Sequence, residues 1–182
     1  MAVPRDLPIE NMDARHRALT PAIAASFHEA ATVCLARHHA PPTEFVVRAR
    51  DVSESTHVSW PVPDRRCLDA WNNVTDTTEA GACACVIAAA ELREQLYAVR
   101  RAEQGTGADY YIGPVGSGVE DLEDCYRLEV GGTDERNAAA IERLLLEKIA
   151  QTRRGRSNLP AFAGVVGFLE KRILLSDVIS GP

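Results

Sequence analysis

Residues 105–132 read G-T-G-A-D-Y-Y-I-G-P-V-G-S-G-V-E-D-L-E-D-C-Y-R-L-E-V-G-G, and this stretch decides the fold. Two short apolar runs, near 105–113 and 125–131, flank a loop holding Pro114, Gly116, Ser117 and Gly118. That pattern predicts a strand, a connection and a second strand. Each run carries one carboxylate, Asp109 in the first and Glu129 in the second. Side chains alternate faces along a strand, so Arg127, Glu129 and Gly131 share one face and Tyr126, Leu128 and Val130 the other. An acid in a half-buried strand costs free energy unless it is paired or binds a cation. Two such acids on adjacent strands could hold a divalent metal between them.

Working outward, Asp76-Thr77-Thr78-Glu79 opens a helix that runs to about Tyr97, and its D-x-x-E spacing resembles a capping box. At 100° per residue Glu79 begins the face of Cys83, Val86, Ala90 and Tyr97. Glu79 is therefore either a cap or a carboxylate aimed at the strand acids. Residues 98–102 give a short strand. A further helix is expected over 135–152, with Ala138, Ile141, Leu144, Leu145 and Ile149 as its apolar stripe. Lys148 falls in the middle of that stripe, and Gln151 and Thr152 border it. A basic loop with Arg153, Arg154 and Arg156 follows. Residues 161–169 read as a buried strand and 171–175 as an edge strand.

On the N-terminal side, residues 1–19 read as an irregular lead-in. Thr20-Pro21 caps and starts a helix to about His39, stopped by Pro41-Pro42. His38 and His39 suit the helix dipole there better than a ligand pair. Residues 43–50 and 57–63 form a hairpin around a polar turn at 51–56, with Pro61 and Pro63 marking an edge. Residues 67–71 form a helical turn. Trp60 and Trp71 read as packing residues rather than base-stacking platforms.

The 182 residues, 46% hydrophobic and 25% charged, fit an ordinary soluble globular protein. No apolar run approaches the 18 residues or so of a membrane span, and M-A-V-P-R-D-L-P lacks a signal-peptide core. A cytoplasmic location is expected, with no membrane partner. Five scattered cysteines fit reduced thiols, and Cys83 and Cys85 diverge too far on a helix to share a zinc ion. The net charge of −6 excludes a wholly basic nucleic-acid-binding surface, but not a local patch at Arg153, Arg154 and Arg156.

The order from residue 76 is helix, three strands, helix, strand. With Glu79 on the first helix, Asp109 on the second strand and Glu129-Val130-Gly131 on the third, it resembles the core of the PD-(D/E)xK nuclease superfamily. The G-T-G-x-D-Y and L-E-V-x-G runs are also similar to those of uncharacterised bacterial members. The resemblance covers roughly residues 70–170. It implies an α/β fold: a mixed central sheet flanked by helices, the restriction endonuclease-like core. Residues 1–70 would be an N-terminal helix and hairpin elaboration, and 71–182 the core. It further implies phosphodiester hydrolysis in nucleic acid, in genome defence or DNA processing, with Mg²⁺ or Mn²⁺ on Asp109 and Glu129. Glu79 and Lys148 would complete the catalytic set and Gln151 would support it. Arg153, Arg154 and Arg156 would contact phosphates. The superfamily pattern would place a lysine at position 131, where this chain has Gly131; Lys148 is the natural replacement. The alternative is an inactive nuclease-fold module that binds nucleic acid or a protein partner, or pairs as a homodimer.

Overall fold

The computed structural model describes residues 5–135 and 137–178. An eight-stranded mixed sheet in the order β1-β3-β2-β8-β7-β6-β5-β4 is flanked by helices, an α/β architecture. The strands are β1 (Arg5–Asp6), β2 (Thr43–Ala49), β3 (Val52–Val58), β4 (Tyr97–Arg101), β5 (Tyr110–Gly113), β6 (Tyr126–Thr133), β7 (Ala161–Gly167) and β8 (Arg172–Val178). The helices are α1 (Pro21–Ala36), α2 (Arg65–Ala70), α3 (Val74–Glu94) and α4 (Ala138–Arg153).

The meander β4-β5-β6 is antiparallel, and the crossover through α4 brings β7 parallel to β6. β7 turns back antiparallel into β8. The expectation of an edge strand at 171–175 is corrected: β8 is interior, because β2 pairs with its other side in parallel. One sheet thus runs through both the 1–70 and 71–182 segments. The hairpin is also tighter than its polar residues suggested. Ala49 pairs with Val52, Arg50 takes φ 55 at the corner, and residues 53–56 are strand. Their polarity is tolerated because most of β3 is exposed.

Period-2 alternation splits the core into two layers. Leu128, Val130, Phe162 and Val166 join the cluster under α3, while Ala163 and Val165 join Ile141 and Leu145 of α4. α1 lies on α3, and α4 alone covers the opposite face. The lead-in packs on the domain. Leu7, Ile9, Met12 and Leu19 are buried in the core, and β1 pairs with β3. His16 is fully buried: its Nδ1 accepts from the Ala98 amide at 3.0 Å, so its Nε2–H donates to Glu91 at 2.8 Å. Glu91 also accepts from Arg15 Nε at 2.7 Å. These contacts cover the outer side of β4. Among the described residues no helix is long and apolar enough to cross a membrane.

Candidate functional site

The site begins with a length mismatch. β5 has four residues and β6 has eight, and β5 pairs only as far as Tyr110↔Leu128. Beyond that point β6 keeps β7 on one side and lacks a strand on the other. Asp109, just before β5, closes the ladder with its side chain: its amide donates to Leu128 O at 2.8 Å, and its Oδ2 accepts from the Val130 amide at 2.9 Å. The carboxylate is thereby fixed at the open end of β6.

A cleft of about 870 Å³ opens there between α3 and α4. Asp109, Glu129, Glu79, Lys148 and Gln151 all line it, so one cleft brings together every sequence-predicted catalytic or supporting residue. Arg127, Glu129 and Gly131 face α4, as the alternation predicted. Glu129 is 3% exposed, and Lys148 Nζ donates to its Oε1 at 2.8 Å, the pairing expected from the helical stripe. Burial, then the charge of Asp109, pushes the Glu129 carboxyl above its ordinary range, with Lys148 opposing.

Gly131 leaves room for that lysine. A Cβ at position 131 would lie 3.0 Å from Lys148 Cε, 3.3 Å from Val165 Cγ1 and 3.4 Å from Leu144 Cδ2. The lysine stem therefore crosses the strand where a side chain would otherwise stand.

Arg127, on the same strand face, takes no carboxylate. Its Nε donates to Leu159 O at 3.1 Å, and its Nη1 to Thr106 O at 2.8 Å and Thr152 O at 3.0 Å. The buried guanidinium thus ties the loop before Asp109 to the end of the helix that carries Lys148. The two segments meet backbone to backbone: a Cβ on Gly107, itself at φ +66, would be 2.9 Å from Gly155 Cα.

Glu79 is exposed on the cleft wall, beside Cys83. The capping reading of the Asp76-x-x-Glu79 spacing is corrected: Asn73 caps α3, its side chain accepting from the Thr75 and Asp76 amides. Asparagine caps as well as aspartate, and it lies earlier in the chain. Burial, then the charge of Asp109, pushes the Cys83 thiol up to about 12, so it stays protonated. Arg153, Arg154 and Arg156 are exposed at the C-terminal end of α4 and lie outside the cleft lining. The Arg156 amide donates to Gly105 O at 3.0 Å, which joins the basic loop to the 105–107 turn.

Sequence reasoning did not single out Arg101. It lines the cleft, its Nη2 lies 3.4 Å from Asp109 Oδ1, and its guanidinium stands 4.7 Å from the Tyr110 ring centroid. An exposed arginine at the end of an edge strand has no pattern of its own. Trp71 and Phe27 also line the cleft, whereas Trp60 is core, 4% exposed. Five carboxylates face the cleft (Asp76, Glu79, Asp109, Glu129 and Glu147) against two cations, Arg101 and Lys148.

The donors suit a hard cation. Two carboxylates from neighbouring strands act on each other by charge, and a divalent ion between them would relieve that repulsion. Among the described residues no three His, Cys, Asp or Glu side chains converge as a metal cage. Water would therefore fill much of the shell, the ordinary habit of Mg²⁺.

No protein-family model, no curated protein and no solved structure matches the chain.

Proposed function

We propose that the chain is a metal-dependent phosphodiesterase of nucleic acid, built on a restriction endonuclease-like core. The observation that carries this reading is the buried Glu129–Lys148 pair at 2.8 Å, in a cleft shared with Asp109. The order α3-β4-β5-β6-α4-β7 with β6 parallel to β7 supports it. So does Gly131, whose missing side chain makes room for a lysine from α4.

Asp109 and Glu129 would hold Mg²⁺ or Mn²⁺. The ion, when bound, supplies a water of lowered pKa and positive charge against the phosphate oxygens. Lys148, held by Glu129, presents an ammonium that can orient the attacking water and offset charge developing on phosphate. Arg101, 3.4 Å from Asp109, would contact a non-bridging phosphate oxygen. Glu79, on the α3 wall of the same cleft, would act through water of that shell. Arg153, Arg154 and Arg156 would grip flanking phosphates without reading sequence.

The test is incubation with end-labelled DNA and RNA in Mg²⁺ or Mn²⁺. The wild-type chain should cleave, and Asp109→Asn and Lys148→Met should each lose about a hundredfold or more of the rate with unchanged circular dichroism. A second reading, a binding module without catalysis, is favoured by one observation: each strand acid already faces a cation, Arg101 for Asp109 and Lys148 for Glu129. Metal-independent binding with no cleavage of any substrate would select it. A chain that neither binds nor cleaves nucleic acid refutes the nuclease and the nucleic-acid-binding module, and leaves only a module for a protein partner.

A further inference from the structure

We propose that Trp71 and Phe27 form a stacking surface for an unpaired base, so that the cleft takes single-stranded nucleic acid. The inference rests on the nuclease reading and names its substrate class.

Trp71 is a large ring that the core does not use. It is half-buried and, among the described residues, belongs to none of the apolar clusters. It is nevertheless held firmly. Its indole Nε1–H donates to Glu29 Oε1 of α1 at 2.7 Å. Its carbonyl accepts from Arg37 Nη2 at 3.2 Å and from Thr77 Oγ1 at 2.8 Å. With its only side-chain donor occupied, the ring can offer the cleft no hydrogen bond, only carbon surface. Phe27 of α1, half-buried and packed against the core, is a second aromatic lining the same cleft. Stacking is the interaction such a surface supplies, and it accepts any base because every base has a π-face.

Duplex bases are closed to it. A base reaches an aromatic side chain only when unstacked, as in single strands, loops and frayed ends. The cleft volume of about 870 Å³ is that of a small-ligand pocket, room for a nucleotide or two. Charge points the same way. Five carboxylates against two cations make the cleft a poor electrostatic trap for phosphate. Without a metal, affinity inside it needs another source, and Trp71 and Phe27 are the aromatic rings among its lining residues.

The experiment is a fluorescence titration of the full chain in EDTA, which stops cleavage. The chain has two tryptophans and Trp60 is 4% exposed, so quenching by an added strand reports Trp71. The probes are oligo-dT, oligo-U and a blunt hairpin duplex. Both single strands should quench the emission and the duplex should not. The relative affinity of dT and U tells whether DNA or RNA is preferred. Both Trp71 variants lack that reporter, so their affinity is read from the anisotropy of an end-labelled strand: Trp71→Ala should weaken single-strand binding about tenfold or more, with Trp71→Phe close to wild type. Equal binding of oligo-dT and oligo-U by Trp71→Ala and wild type overturns the proposal, as does a wild-type preference for the duplex. If the duplex is cleaved in Mg²⁺ while single strands neither bind nor quench, this inference fails and the nuclease reading stands. If no probe binds and none is cleaved, both fall together.

Discussion

Lys148 occupies the volume that a side chain at Gly131 would take, its Cε 3.0 Å from where that Cβ would stand. The two positions compete for one space. An ammonium in front of Glu129 can arrive from the strand or from α4, not from both. Moving the lysine to the strand, as Gly131→Lys in a Lys148→Ala background, should therefore restore cleavage lost in Lys148→Ala alone. Gly131→Ala by itself should cost about 1 kcal/mol through overpacking against Val165 and Leu144. Thermal melts and end-label cleavage read both. A double variant as inactive as Lys148→Ala would reject the equivalence of the two positions, and a Lys148→Ala variant as active as wild type would separate the lysine from the reaction.

Glu129 sets a pH dependence. Burial first, and Asp109 second, hold its carboxyl above the ordinary range. The folded chain keeps that proton to higher pH than the unfolded chain does. The stability this contributes is complete below the unfolded value and is lost as pH rises through the raised folded one. A divalent ion must displace the same proton. Millimolar Mg²⁺ or Mn²⁺ should thus raise Tm little just above the ordinary carboxylate range, and more at neutral pH and beyond. Asp109→Asn should abolish the shift. A metal effect on Tm that ignores pH would refute the role of Glu129.

Arg127 should matter to stability more than to chemistry. Three carbonyls, from Thr106, Thr152 and Leu159, depend on its guanidinium. Arg127→Met leaves them without that donor, at a cost of roughly 2–4 kcal/mol. Arg127→Lys should recover only part of it, because an ammonium cannot reproduce the planar fork. Denaturant melts measure the loss, and faster amide exchange at residues 103–108 would localise it. A melt within about 0.5 kcal/mol of wild type would contradict the tie, since that is the scale of an ordinary surface change.

The basic loop predicts a salt signature. Replacing Arg153, Arg154 and Arg156 by alanine should weaken binding about equally for all sequences and flatten its salt dependence. Filter binding across a salt series checks this. An unchanged slope would make the loop a solvated surface only.

Much of the cleft was legible because its determinants are local. Period 2 put Glu129 and Gly131 toward α4, and period 3.6 put Lys148 in the stripe that faces them. Both follow from backbone geometry within one element. The rest depended on pairings between distant segments. The place of β8 inside the sheet follows from its hydrogen bonds to β2, which no pattern within 171–175 encodes. The partners of His16 and Arg101 are side chains meeting across elements, and Arg127 takes carbonyls from three separate segments. Asn73 displaced Asp76 as the cap by standing three residues earlier, a competition settled at the helix end itself.

The interior position of β8 has a consequence for how the chain is made. The hairpin of β2 and β3 is complete once residue 58 has left the ribosome, yet among the described residues β2 joins the rest of the sheet through residues 172–175. Until these emerge, β2 waits with an unsatisfied row of amides and carbonyls, the kind of exposed strand that invites pairing with another chain. Synthesis that stalls within α4 or β7 would release a polypeptide holding the whole cleft wall from α3, but with β2 lacking its strand partner β8. Such fragments are natural prey for holdase chaperones and proteases, and β8 acts as the clasp that ends that exposure.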